Sequence, residues 1–178
     1  MIKLCCGQTL LRRIKAPIDD RSSSDSKLGD WHARAVFVKP KHLVLCANER
    51  SLLAVVIPLA PVSELLERFR LAAVNRIRQI PASSDILEKE CSALHDVQFG
   101  KTSNRSMIST LNQMVYEMES LLHYPHPDDL EHLALTLCDR PTFTISTHWP
   151  WLEAELILTG SVMPGRKWKV PPESQIVL

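Results

Sequence analysis

Between residues 31 and 57 the chain carries three apolar stretches separated by turns of a few residues, and that spacing restricts the fold more than any other feature. Trp31, Ala33, Ala35 and Phe37 alternate with His32, Arg34, Val36 and Val38, the two-residue period of a strand with two different faces. Lys39-Pro40-Lys41 reads as a turn, Leu43 to Cys46 as the returning strand, Asn48-Glu49-Arg50 as a second turn, and Leu52 to Ile57 is apolar at every position. Connections this short join neighbouring antiparallel strands, so the segment predicts a three-strand meander. An unbroken apolar run predicts burial on both faces, which places the third strand at the centre of the sheet.

The rest of the chain supplies helices to cover that sheet. Met1 to Lys15 reads as a short strand, a turn at Gly7 and a short helix with Leu10, Leu11 and Ile14, ended by Pro17; the sheet proper begins after it. Pro17 to Lys27 is polar and reads as a mobile surface loop. Val62, Leu65, Leu66, Phe69, Ala73 and Ile77 recur at helical spacing, while Arg68, Arg70, Arg76 and Arg78 scatter around the axis as a solvated surface rather than a phosphate-tracking stripe. Pro81 breaks this helix, Ser83 or Ser84 caps another through Leu94, and Asp96 to Phe99 reads as extended. Towards the C-terminus, Asp128 to Cys138 reads as helix, Thr142 to Thr147 as extended, and Trp151 to Leu158 as helix up to Gly160. The fold class is α+β, a small antiparallel meander packed against several amphipathic helices. Residues 1–140 form its core domain, and 141–178 a C-terminal extension packed on the core or used as an interface.

A polar motif, Phe99-Gly100-Lys101-Thr102-Ser103-Asn104-Arg105-Ser106, opens the strongest helix. On that helix Met107, Ile108, Leu111, Met114, Val115, Met118, Leu121 and Leu122 share one face, which is core. Gly-Lys-Thr suggests a phosphate loop, but the position that needs a glycine five residues earlier is His95, and no buried strand precedes it. What remains is either a helix N-terminus whose free N–H groups, together with Lys101 and Arg105, attract an anion, or one capped by Thr102, Ser103 or Asn104 with no ligand at all. Arg105, Ser109, Asn112 and Tyr116 follow at spacings of four, three and four, so they form a polar stripe suited to reading a partner.

Composition excludes several classes. A net charge of +1 argues against binding nucleic acid through bulk charge, and 45% hydrophobic content with a mean hydropathy near zero fits a globular chain. No apolar run reaches the roughly 18 residues of a spanning helix. The N-terminus lacks a secretory pattern. The expected location is therefore cytoplasmic, with no membrane partner. Five cysteines, with Cys5 and Cys6 adjacent and none in a C-x-x-C pair, suggest neither a disulfide framework nor structural zinc, and Cys46 and Cys91 read as buried. His123, His126 and His132 with Asp128 and Asp129 are the only local metal-type cluster; prolines place it in a loop with poor ligand spacing, so no metal and no cofactor are expected.

For chemistry, His32 is the candidate acid or base, Glu49 its carboxylate partner, and Arg50 or Arg105 the group stabilising a phosphorane or oxyanion. A hairpin turning at Lys39 to Lys41 brings His32 near Asn48. In the tail, Trp149 and Trp151 lie upstream of Gly165-Arg166-Lys167-Trp168-Lys169. Trp149, Trp151 and Trp168 suit an interface anchor, or stacking on single-stranded nucleic acid.

Leu28-Gly29-Asp30-Trp31, Asn48-Glu49-Arg50 with the apolar run after it, Leu66-Glu67-Arg68-Phe69-Arg70, and Gly100 through Ser106 with Asn112 together resemble an uncharacterised bacterial domain family of unknown function. The resemblance spans roughly Met1 to Leu122 and leaves out the segment from Pro141. It implies a small cytoplasmic bacterial protein and carries over no activity, cofactor or catalytic residue. The expected function is a binding or regulatory module that recognises a protein partner or anionic ligand through Lys101, Thr102, Asn104, Arg105, Ser109, Asn112 and Tyr116, with Asn48, Glu49 and Arg50 adjoining. Such a module suits a defence, counter-defence or toxin–antitoxin system. The alternatives are a nuclease or other phosphodiester hydrolase acting on RNA, and an assembly subunit with a Trp-rich C-terminal interface.

Overall fold

A computed structural model describes residues 1–18, 24–122 and 129–162. The meander is present: β2 (Trp31–Val38) pairs antiparallel with β3 (Lys41–Asn48), and β3 with β4 (Ala54–Pro58). The sheet is larger than the meander, however. β1 (Ile2–Cys6) pairs parallel with both β2 and β5 (Val97–Lys101), giving five strands in the order β4-β3-β2-β1-β5. The opening strand is therefore an inner strand of the sheet, and the extended piece expected at Asp96 to Phe99 is the first part of β5, which runs on into the polar motif.

β4 is an edge strand, not the central one. The apolar run reports that both faces of β4 are covered, which is a separate matter from pairing along both edges. Cover comes from α2 (Leu65–Arg78) and α5 (Leu130–Cys138), which both pack against β4. Arg76 is 1% exposed, with Nε donating to the Ala54 carbonyl (3.2 Å), Nη1 to Gln79 Oε1 (3.0 Å) and Nη2 to Glu131 Oε2 (3.1 Å). This corrects its assignment to a solvated surface; Arg68, Arg70 and Arg78 do lie at the exterior. An arginine at helical spacing among apolar residues can face inward when an edge carbonyl and a carboxylate wait for its donors.

Trp31 packs edge-on against Phe69 of α2 (centroids 5.6 Å apart), and Arg13 of α1 (Gln8–Ile14) lies over Phe37, so both helices cover the same face of β2. Val36, Leu43, Leu45, Ala47 and Val56, which alternate with that face, are also buried, and α4 (Arg105–Leu121) packs on β2 and β3. α3 (Ser84–Ala93) brings the buried Glu90 to Ser26 Oγ and the N–H groups of Lys27 and Leu28, tying down the end of the polar loop. Trp151, Ala154 and Leu158 of α6 (Pro150–Thr159) belong to the same hydrophobic core as the sheet, and Gly160 ends α6 in the left-handed conformation (φ 78°). Thr142 to Thr147 is not extended. Its hydroxyls bond locally, Thr142 with Thr144 and Ser146 with Glu153, and such bonds compete with ladder formation.

Candidate functional site

The polar motif divides into groups that hold the fold and groups that face outward. Thr102 N–H donates to the Cys6 carbonyl and Thr102 Oγ1 to the Cys5 carbonyl (2.7 Å), closing the end of the β1–β5 pair. Asn104 is the N-cap of α4, its Oδ1 accepting from Ser106 N–H (3.0 Å) and Met107 N–H (3.2 Å). Two of the first-turn N–H groups that an anion would use are thus held by the chain's own side chain. Lys101 is exposed at the end of β5.

Beyond the cap, Arg105, Ser109, Asn112 and Tyr116 all lie on the exterior of α4, with Tyr116 72% exposed. Their side chains make no hydrogen bond or ion pair with the described residues. Met107, Leu111, Met114, Met118 and Leu122 are buried as the periodicity predicts, whereas Ile108 is exposed and borders the stripe. The outward face of α4 therefore joins a cation, two small polar side chains, an aliphatic and an aromatic.

A second polar cluster sits at the start of β2. Trp31 pairs with Asn48 and His32 with Ala47, a register that brings Glu49 over His32, with Nε2 and Oε2 3.5 Å apart. Glu49 Oε1 accepts from Asp30 N–H (3.2 Å), and Asp30 in turn accepts from Lys3 N–H (2.8 Å) and faces Lys3 Nζ (3.6 Å). The His32 hydrogen bond holds the Glu49 carboxyl below the usual carboxylate range; partial burial opposes this, and the Asp30 N–H and the charge of Lys3 add to it. His32 is 4% exposed, and its Nδ1 is buried without a hydrogen-bond partner among the described residues. Gly29 permits the approach: its φ is 79°, and a Cβ there would stand 2.4 Å from Glu49 Oε1.

The structure thus joins His32 to Glu49 but gives Arg50 and Asn48 other partners. Arg50 donates to the Lys27 carbonyl, and the buried Asn48 accepts from Arg50 N–H, Ser51 N–H and Ser51 Oγ. No hydrogen bond or ion pair joins Arg105 to His32 or Glu49. Trp151 is 5% exposed in the core and Trp149 is half-buried, so Trp151 offers no area to a partner; Trp168 lies outside the described residues. So do His123, His126 and Asp128; Asp129 caps α5 by accepting from His132 N–H. Among the described residues no three His, Cys, Asp or Glu side chains converge as metal ligands, and no helix is long and apolar enough to cross a membrane. A cleft lined by Leu52, Gln113, Met114, Glu117, Arg140 and Thr142 holds about 30 Å³, room for water but not for an organic ligand. Sequence reasoning missed Lys3 beside Asp30 and Glu49, and Cys5 opposite His32, because parallel pairing between β1 and β2 leaves no local signal.

The chain belongs to the family described as Domain of unknown function (DUF6933), whose model matches residues 3–153. The match runs past Leu122 through α5 and into α6, further than the sequence resemblance extends, so the segment after Pro141 is in part family structure. No curated protein and no solved structure matches the chain.

Proposed function

We propose that this chain is a cytoplasmic binding or regulatory module that docks a protein partner on the outward face of α4, through Arg105, Ser109, Asn112 and Tyr116 with Ile108 at the margin. The observation that carries the reading is the exposed stripe itself. Tyr116 is 72% exposed, and none of the four polar side chains is engaged by the described residues. Tyr and Arg are the side chains that most often anchor interfaces, because each buries a large area while offering directional donors. The self-capped N-terminus of α4 turns the choice between protein and free anion towards protein. A place in a defence, counter-defence or toxin–antitoxin system fits a small module of this kind. The test is native mass spectrometry of the protein recovered from a lysate beside Arg105→Ala and Tyr116→Ala. A stoichiometric protein companion lost in both variants supports the reading; a bare chain, or a companion retained by both variants, contradicts it.

A second reading, a phosphodiester hydrolase acting on RNA, is favoured by the His32–Glu49 contact. It requires that His32→Ala and Arg105→Ala each abolish turnover while the fold survives. Unchanged turnover in both removes it.

A further inference from the structure

The outward stripe of α4 runs Arg105, Ser109, Asn112, Tyr116, and its spacings of four, three and four read the same in either direction. Side chains at that heptad spacing form the seam between two packed helices. When a second α4 lies antiparallel across a two-fold axis midway between Ser109 and Asn112, Arg105 meets Tyr116 of the other helix and Ser109 meets Asn112. Each meeting joins complementary groups. A guanidinium stacks on the face of a tyrosine ring, and this contact occurs at both ends of the seam. The Ser109 hydroxyl and the Asn112 carboxamide each donate and accept, and both are short enough to let the helix axes approach.

Charge follows the same order. Arg105 opens α4, whereas Glu119, three residues beyond Tyr116 and on the margin of the stripe, lies near its end with no ion pair among the described residues. Antiparallel packing sets the basic start of one helix beside the acidic end of the other and aligns the helix dipoles favourably. A parallel pair would instead set Arg105 on Arg105. Ile108, 37% exposed at the same margin as Glu119, supplies apolar area for Tyr116 of the other helix to cover. We infer that the partner docked on α4 is a second copy of this chain, the two α4 helices packing antiparallel about that axis. This inference rests on the α4 reading and names its partner.

The test is sedimentation equilibrium of the purified full-length chain over a concentration series, beside Arg105→Glu, Tyr116→Lys and an equimolar mixture of the two. The parent should approach twice the 20.2 kDa mass of one chain. Each variant alone should self-associate about tenfold more weakly or worse, because the cation–π contact is lost at both ends and Tyr116→Lys sets like charges together. In the mixture the introduced glutamate faces the introduced lysine at one end while an unaltered Arg105 faces an unaltered Tyr116 at the other, so the dimer should return. Its return also shows that both variant chains are folded. A parent that stays monomeric overturns the second-copy inference alone, since the lysate experiment still reads any other companion at α4. A parent dimer that both variants retain, or variants with parental urea midpoints that stay monomeric when mixed, overturns it as well.

Discussion

Replacing Arg76 by alanine removes the side chain that joins α2, the edge of β4 and α5, and the structure sets how much stability goes with it. Its Nε is the N–H donor to the Ala54 carbonyl, and orphaning a buried carbonyl costs about 1–3 kcal/mol. Cys138 Sγ approaches the same carbonyl at 3.6 Å as a weak donor, which holds this cost towards the low end. Glu131 is 48% exposed, so its charge returns to water and the ion pair adds less than about 1 kcal/mol. The buried aliphatic stem adds about 0.8 kcal/mol for each of its methylenes. Arg76→Ala should therefore cost about 3–4 kcal/mol, and Arg76→Met, which keeps the stem, about half of that. Equilibrium urea unfolding followed by tryptophan fluorescence measures both, with an unchanged m-value showing that the same structure is lost. Glu131→Gln is the control and should cost under about 1 kcal/mol. An Arg76→Ala variant within 1 kcal/mol of the parent would refute the assignment of Arg76 as the tie at the β4 edge.

Asn104→Ala should destabilise the chain by about 1 kcal/mol through loss of the two cap hydrogen bonds, read as a lower urea midpoint; Ser103→Ala should be neutral by the same assay. Gly29→Ala forces a left-handed backbone on a residue with a Cβ and pushes Glu49 off His32, so it should cost about 2 kcal/mol, and less in a Glu49→Ala background, as a double-mutant cycle will show. Because His32 holds the Glu49 carboxyl below its ordinary value, Glu49 stabilises the fold above pH 4.5, and that contribution fades as pH falls through the lower folded value. Stability measured from pH 7 down to pH 3 should consequently fall less steeply below pH 4.5 in Glu49→Gln than in the parent.

What could be read from residues alone was whatever local pattern encodes. The alternation from Trp31 to Val38 and the two short turns specify the meander and its register, and Asn104 before Met107 and Leu111 specifies a capped amphipathic helix. Pairing between distant segments was not legible. Ile2–Cys6 has the composition of any short strand, and only the assembled sheet puts it between β2 and β5 and so sets Cys5 beside His32. The apolar run at Ala54–Pro58 encodes burial but not position, because helices and Arg76 can cover an edge as completely as a neighbouring strand. Burial of a charged side chain such as Arg76 is decided by donors and acceptors on three elements and leaves no trace in helical periodicity. Of the candidate site, the His32–Glu49 proximity followed from hairpin register, whereas the use of Thr102 and Asn48 inside the fold depended on carbonyls and N–H groups that periodicity does not locate.

Site-specific photocrosslinking tests the α4 reading most directly. A photoreactive phenylalanine analogue at Asn112, in the middle of the stripe, is compared inside cells with the same analogue at Leu71, which is 56% exposed on α2. The account predicts a discrete protein adduct from position 112, abolished by Tyr116→Ala, and none from position 71. No adduct from position 112, or the same adducts from both positions, would contradict it.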